Sequence, residues 1–265
     1  MRTKIQNLPV LLILCLLGLV TRAQDYGQYA KKEFVRDGNT LLYRVLYPLD
    51  YDSHKKYPLL VFLHGSGERG NDNEAQLVHG GSLFLQDSLR KNYPAIIIFP
   101  QCPKDSSWAY MEHHYDSVAK KMSFGFPFQP EPTIPAKLVK ELMDSLVHAK
   151  GVDKKRIYIG GLSMGGFGTY NMLARYPRYF AAAIPICGGG DTLMAKRFYR
   201  IPGIWIFHGD QDPAVNVEYS RAYFRALQRL HAHVKYTEYP GVGHNSWDNA
   251  FAEKDLLHWL FSNEK

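Results

Sequence analysis

The chain has 265 residues, 46% of them hydrophobic and 14% aromatic, with no internal repeat and no low-complexity linker. That is enough chain for one large α/β domain with a full core. The formal net charge is +7, but the basic residues fall in short scattered groups such as Lys31-Lys32, Lys55-Lys56 and Lys154-Lys155-Arg156. No basic stripe is interleaved with aromatics, which argues against nucleic acid as a partner.

The N-terminus opens on the basic Met1-Arg2-Thr3-Lys4. An apolar run from Leu8 to Val20 follows, broken by Pro9 and Gly18, and Thr21-Arg22-Ala23 puts small residues at the minus-three and minus-one positions. This pattern predicts a signal peptide over residues 1–23, cleaved before Gln24, and a single mature domain over residues 24–265. The apolar run is shorter than the roughly 20 residues a bilayer span needs, so no stable membrane anchor is expected after cleavage. Cys15 follows Leu14, where a lipoprotein signal carries a small residue, so lipidation is not expected. The expected destination is the periplasm or the exterior. Loss of Arg2, Lys4 and Arg22 lowers the formal charge to +4.

Glu33–Tyr47 reads as a hairpin around Asp37-Gly38, a turn signal between two alternating runs. The pattern then changes to unbroken apolar runs at Pro58–Leu63, Ala95–Phe99, Ile157–Ile159, Ala181–Ile186, Ile204–Phe207 and Val234–Tyr239. Such runs predict strands buried on both faces, as in a parallel sheet covered by helices. Helical spacing appears between them. Leu138, Val139, Leu142, Met143, Leu146 and Val147 form one stripe, expected to be capped near Thr133 and ended by Gly151. Further helices are expected over Phe167–Tyr176, Val217–Leu230 and Trp247–Phe261. The prediction is a doubly wound, mostly parallel α/β sheet with an N-terminal antiparallel hairpin and helices on both faces.

Residues 106–135 break the pattern. They are rich in aromatics (Trp108, Tyr110, Tyr115, Phe124, Phe126, Phe128) and show no clear periodicity. A loop this long is either a surface excursion packed on its own aromatics or one wall of a substrate pocket. Cys102 and Cys187 remain after processing, each behind a strand, with two other strands expected between them. Strands spaced about 4.8 Å apart put them roughly 14 Å from each other. A disulfide needs Cα atoms within about 7 Å, so two buried free thiols are expected. No Cys/His spacing suggests a zinc site, and neither metal nor cofactor is expected.

The glycine-rich turns all follow strand ends, where open α/β sheets bind ligands. Gly161-Leu162-Ser163-Met164-Gly165 sits between a strand and a helix, a context that forces the serine hydroxyl out into solvent. A serine nucleophile needs a histidine base and a carboxylate behind it, here expected in the chain order Ser, Asp, His. His244, between Gly243 and Asn245 at the last strand end, is the candidate base; Asp210 and Asp212 are both candidate acids. Oxyanion donors are expected from the backbone of Met164 and from the loop His64–Gly70, with Ser66 the best placed. Glu68 and Arg69 in that loop either bind substrate or form a local ion pair. His64 and His208, which close core strands, are expected to orient loops. Trp108 and Tyr110 offer rings for a sugar or phenolic acyl group to stack on.

Several segments together resemble secreted carboxylesterases of the α/β-hydrolase superfamily. They are Leu63-His64-Gly65-Ser66-Gly67-Glu68-Arg69-Gly70, Pro100-Gln101-Cys102-Pro103 with Trp108, the serine elbow, and His208-Gly209 through Asp212. The resemblance spans about residues 30 to 262 and is similar to the feruloyl and acetyl-xylan esterase group and to dienelactone-hydrolase and phospholipase/carboxylesterase relatives. It implies the α/β-hydrolase fold, Ser163 as nucleophile, His244 as base, and Ser66 and Met164 as oxyanion donors, with no metal. The superfamily segment His-Gly-x-x-Asp-x-x-Val, read here from His208 to Val215, selects Asp212 as the acid and leaves Asp210 a turn residue. The implied activity is hydrolysis of carbohydrate-linked or aromatic esters, feruloyl or acetyl. A serine peptidase of the prolyl-oligopeptidase type shares the elbow and the triad order, but such enzymes carry an N-terminal propeller, and only about 30 residues precede the core here. A non-catalytic binding protein on the same fold is the third reading. No amphipathic lid helix of the kind a lipase uses is evident.

Overall fold

Alternation along each strand decides which core its side chains enter. In the computed structural model residues 26–118, 121–149 and 151–265 are described, and the predicted leader with Cys15 lies outside them. The hairpin β1 (Ala30–Arg36) and β2 (Asn39–Leu46) pairs Arg36 with Asn39 across Asp37-Gly38. Both turn residues have positive φ, 51° and 75°, the conformation of a tight hairpin turn that twists with its strands. The central strands are β3 (Tyr57–Leu63), β4 (Ile96–Gln101), β7 (Val152–Leu162), β8 (Ala182–Ile186) and β9 (Gly203–Gly209), with β10 (Val234–Tyr239) at the edge. The eight strands run in the order β1-β2-β4-β3-β7-β8-β9-β10, with β1–β2 and β2–β4 antiparallel and the rest parallel.

Leu59, Val61, Leu63, Ile157, Ile159, Ile204 and Ile206 face one core. There they meet α2 (Ile134–His148), α3 (Met164–Arg175), α4 (Ala195–Phe198) and α5 (Glu218–Arg229). The alternate residues Leu60, Phe62, Tyr158, Trp205 and Phe207 face the other core. It is covered by α6 (Trp247–Phe251), α7 (Leu256–Ser262) and, through Leu89, by α1 (Asp87–Asn92). The fold is therefore the α/β-hydrolase fold. Cys102 and Cys187 are free and buried, with β3 and β7 between their strands.

Four details differ from the expectation. β10 is an edge strand whose residues are only half-buried or exposed, so it admits Lys235, Thr237 and Glu238 among its apolar residues and forms no buried run. The C-terminal helix is two helices, because the five-residue step from Phe251 to Leu256 takes the apolar stripe out of helical phase. Thr133 stands at the N-cap of α2 without a capping side-chain bond, and the helix stops before Gly151. Within residues 106–135 a two-stranded hairpin forms, β5 (Glu112–Asp116) with β6 (Lys121–Gly125). Every residue of β5 is exposed, so it carries no burial alternation to read. Among the described residues no helix is long and apolar enough to cross a membrane.

Candidate active site

The C-terminal ends of β3, β7, β8, β9 and β10 come to one edge of the sheet. Ser163 follows β7 with φ 53° and ψ −116° and leads straight into α3. An L-residue with positive φ is strained, and it stays there because the turn is pinned on both sides: Ser163 N–H donates to Ile186 O at 3.0 Å, and Phe167 N–H donates to Ser163 O at 3.0 Å. The two flanking glycines are required by contact. A Cβ on Gly161 would stand 2.6 Å from the carbonyl carbon of Gly165, and one on Gly165 would collide with the Leu63 carbonyl.

His244, five residues beyond β10, places Nε2 2.9 Å from Ser163 Oγ and Nδ1 2.7 Å from Asp212 Oδ2. Since a carboxylate only accepts, Nδ1 carries the proton and Nε2 is free to accept from the serine hydroxyl. Asp212, whose side chain is fully buried, accepts on Oδ1 from the Ala214 and Val215 amides at 2.8 and 2.9 Å. Its Oδ2 accepts from His208 Nε2 at 3.1 Å as well as from His244. Burial works to raise the Asp212 pKa, but bonds from His208, His244 and Val215 outweigh it and hold the carboxyl well below the usual carboxylate range. Asp210 does not meet His244. Its Oδ1 takes the Gly241 N–H at 2.7 Å and ties the two turns together, the turn role expected of it.

Met164 is the first residue of α3, where helix geometry leaves the N–H without an intrahelical partner. Ser66 opens a 3-10 turn, Ser66–Glu68, after β3, and β3 pairs Leu63 with Gly161 next to the elbow. That turn is braced from beneath. Arg69 donates to Ser66 O at 3.0 Å and to Ser106 O at 3.3 Å, and Gln101 Nε2 donates to Glu68 O at 3.2 Å. Glu68 and Arg69 do not pair with each other: Glu68 faces His79 Nε2 at 3.6 Å, and Arg69 is spent on carbonyls.

Trp108 is not a ligand surface. It is wholly buried, its Nε1 donates to His64 O at 3.0 Å, and it fills the space over Gly168. Tyr110 is 39% exposed and lines a narrow cleft of about 30 Å³ with Phe126, Phe128, Phe167 and Gly189. Phe124 and Phe126 pack on Phe167, four residues past the serine, at 5.4 and 5.5 Å. Residues 106–135 thus pack on their own aromatics and against the elbow helix at once. The aromatic ring that does reach the site is Trp247. Half-buried at the start of α6, it meets the His244 ring at 5.4 Å and the His79 ring at 4.8 Å. Its place is not readable from spacing, because His79, Glu68 and Trp247 come from three separate segments. Cys187, with φ 39°, lies behind the site. Its Sγ, an Asp212 oxygen and a His244 nitrogen fall within 4.8 Å of one another. Burial and the Asp212 charge push that thiol up, and the carboxylate and imidazole are engaged with each other.

His64 anchors the loop that follows β3. Its Nδ1–H donates to Gly65 O at 2.6 Å and its Nε2 accepts from Cys102 N–H at 2.9 Å, an arrangement only the neutral ring can make. Burial pulls its pKa from 6.5 down to about 4. A folded pKa below the unfolded one means the unfolded chain binds the proton first, so stability falls as pH drops from about 6.5 to about 4. The loss expected across that window is about 3 kcal/mol. Urea unfolding at pH 7 and pH 4.5 should show it, and a His64→Gln variant should have a flatter pH dependence. Equal slopes in both proteins would contradict this account.

The family model for phospholipases and carboxylesterases matches residues 50–254. A solved thermostable esterase superposes with a TM-score of 0.80 at 36% identity, covering 91% of this chain and 64% of that one. A bifunctional acetylxylan esterase/xylanase of Neocallimastix patriciarum is 23% identical over 146 residues, 51% of this chain and 22% of its own length. A carboxylesterase of Arabidopsis thaliana is 24% identical over 197 residues, 70% of this chain and 82% of its own. The chain thus spans under a quarter of the Neocallimastix protein and just under two thirds of the thermostable esterase. With the elbow, the strand order and the match over residues 50–254 together, the chain belongs to the phospholipase/carboxylesterase family of α/β-hydrolases.

Proposed function

We propose that this protein is a secreted serine carboxylic-ester hydrolase in which Ser163, His244 and Asp212 form the catalytic triad. The observation that carries the reading is the unbroken line from Ser163 Oγ to His244 Nε2 at 2.9 Å and from His244 Nδ1 to Asp212 Oδ2 at 2.7 Å. His244 takes the hydroxyl proton as Oγ adds to the ester carbonyl. The N–H groups of Met164 and Ser66 receive the developing oxyanion, where each such donor contributes about 10²–10³ in rate. Asp212 stabilises the imidazolium without taking its proton. His244 then protonates the leaving alkoxide, and water releases the acyl group through the same base. Secretion rests on the leader pattern of residues 1–23.

The substrates proposed are carbohydrate-linked or aromatic esters, a reading supported by the acetylxylan esterase among the relatives. The leaving oxygen must sit at His244 Nε2, and we take Trp247, which meets the His244 ring, with His79 and Glu68 beside it, as the alcohol-side wall. An indole face with a carboxylate and an imidazole beside it suits a sugar ring and its hydroxyls. A panel of acetylated xylo-oligosaccharide, methyl ferulate, ethyl acetate and dipeptides tests the reading. Trp247→Ala should lower kcat/KM for the acetylated sugar about fivefold more than for ethyl acetate. Equal losses remove the sugar from the alcohol side, and amide cleavage without ester cleavage overturns the esterase.

A further inference from the structure

Asp212 is gripped by a second imidazole that takes no part in the proton relay. His208, the next-to-last residue of β9, is completely buried, and both of its ring nitrogens are occupied. Its Nε2 lies 3.1 Å from Asp212 Oδ2 and 2.9 Å from Val215 O. A carboxylate and a carbonyl only accept, so Nε2 carries a proton and donates to both. Its Nδ1 lies 2.7 Å from Ser220 Oγ, in the first turn of α5, and Ser220 is itself fully buried. The hydroxyl has one other acceptor in reach, Gly188 O, at a longer 3.4 Å. The shorter contact gives the hydroxyl proton to Nδ1, in keeping with the Nε2–H that Asp212 and Val215 require. Across the sheet His208 pairs in register with Glu238 of β10, whose carboxylate is taken by Arg221 at 2.6 and 2.8 Å and by Tyr236.

We propose that His208 is a positioning residue for acyl transfer that locks the Asp212 carboxylate in the plane His244 requires. The inference rests on the triad reading above. The Ala214 and Val215 amides hold only Oδ1, so turning of the carboxylate about its Cβ–Cγ bond, which moves both oxygens, is resisted by them at that oxygen alone. The His208 bond to Oδ2 is the third point that stops the turn. Oδ2 also shares its charge between two imidazole protons. An oxygen that accepts two such protons grips each less tightly than one that accepts a single proton. Without His208, Oδ2 is freer to wander yet holds a charged His244 more firmly when they meet.

Two variants separate positioning from packing. In His208→Asn the amide ends where Nδ1 stood, so Ser220 keeps a partner and Asp212 loses its donor. In His208→Gln the amide reaches the place of Nε2. With 4-nitrophenyl acetate, His208→Asn should lower kcat about 10-fold or more with KM within about twofold. The acid limb of its kcat/KM profile should move to higher pH by about half a unit. His208→Gln should recover most of kcat and bring the limb back. If His208→Asn does not fold, His208→Met carries the same test, since it fills much of the imidazole's volume but offers Asp212 no donor; its limb should move the same way. Wild-type kcat and an unmoved limb in His208→Asn, equal losses in Asn and Gln with an unmoved limb, or an unmoved limb in a folded His208→Met each overturn the proposal. Ser163→Ala is run alongside. If hydrolysis survives it, the triad reading falls with the proposal; if hydrolysis dies with it, a failure at His208 is a failure of the positioning role alone.

Discussion

Replacing Ser163 with alanine should lower kcat for a carboxylic ester by about 10⁶-fold while leaving the fold intact. Among the described residues no second nucleophile is hydrogen-bonded to His244: its other ring nitrogen is held by Asp212, and Cys187 is buried behind the pair with its thiol pushed up by burial and by the Asp212 charge. What remains after the substitution is binding and the oxyanion donors, worth about 10³–10⁴ over water. The backbone holds its conformation without the hydroxyl, since the bonds that pin the turn run through Ser163 N–H and Ser163 O. Unfolding midpoints and circular dichroism check that half of the expectation. Substantial ester turnover by a folded Ser163→Ala protein would show that another group attacks.

Asp212→Asn should cost about 10⁴-fold in kcat. The amide can still accept from Ala214 and Val215 with its oxygen, so the turn survives. It then presents an NH₂ where Oδ2 took the His244 proton, and two donors cannot face each other. The imidazole answers by moving its proton to Nε2, which leaves no lone pair for the Ser163 hydroxyl. Asp210→Asn is the matched control. Its oxygen can still take the Gly241 N–H, so kcat should stay within about twofold of wild type. Pre-steady-state acylation rates of the two variants make the comparison, and a comparable loss in both would remove the distinction between the two aspartates.

Much of this site was legible because its chemistry sits where strand patterns end. Continuous apolar runs marked the strands, and Gly161 and Gly165 marked the elbow, since no other residue fits against Leu63 and against each other there. Asp37-Gly38 marked the hairpin for a comparable reason, two consecutive positive φ angles. What escaped the sequence is what depends on distance between segments. Trp108 looked like a stacking platform because an aromatic in an aperiodic segment can equally face solvent or the core; only the contact with Gly168 and His64 decides for the core. Glu68 and Arg69 looked like an ion pair as sequence neighbours, yet each found a nearer partner across a loop. His208 was recognisable as a loop-orienting histidine at a strand end. Its bond to Asp212 depends on the turn closing four residues later. Trp247 and His79 are 168 positions apart, and no local periodicity could join them.

The most direct test of the account is covalent trapping with paraoxon, a diethyl phosphate ester of 4-nitrophenol. Attack by Ser163 Oγ on phosphorus forms the serine–phosphorus bond and releases 4-nitrophenolate, and intact-mass and peptide mass spectrometry then locate the adduct. The account predicts one diethylphosphoryl group per chain, on the peptide that contains Ser163, with esterase activity lost in proportion to labelling. Ser163→Ala should take up none. An adduct on any other residue, or hydrolysis that continues once every chain is labelled at Ser163, would contradict it.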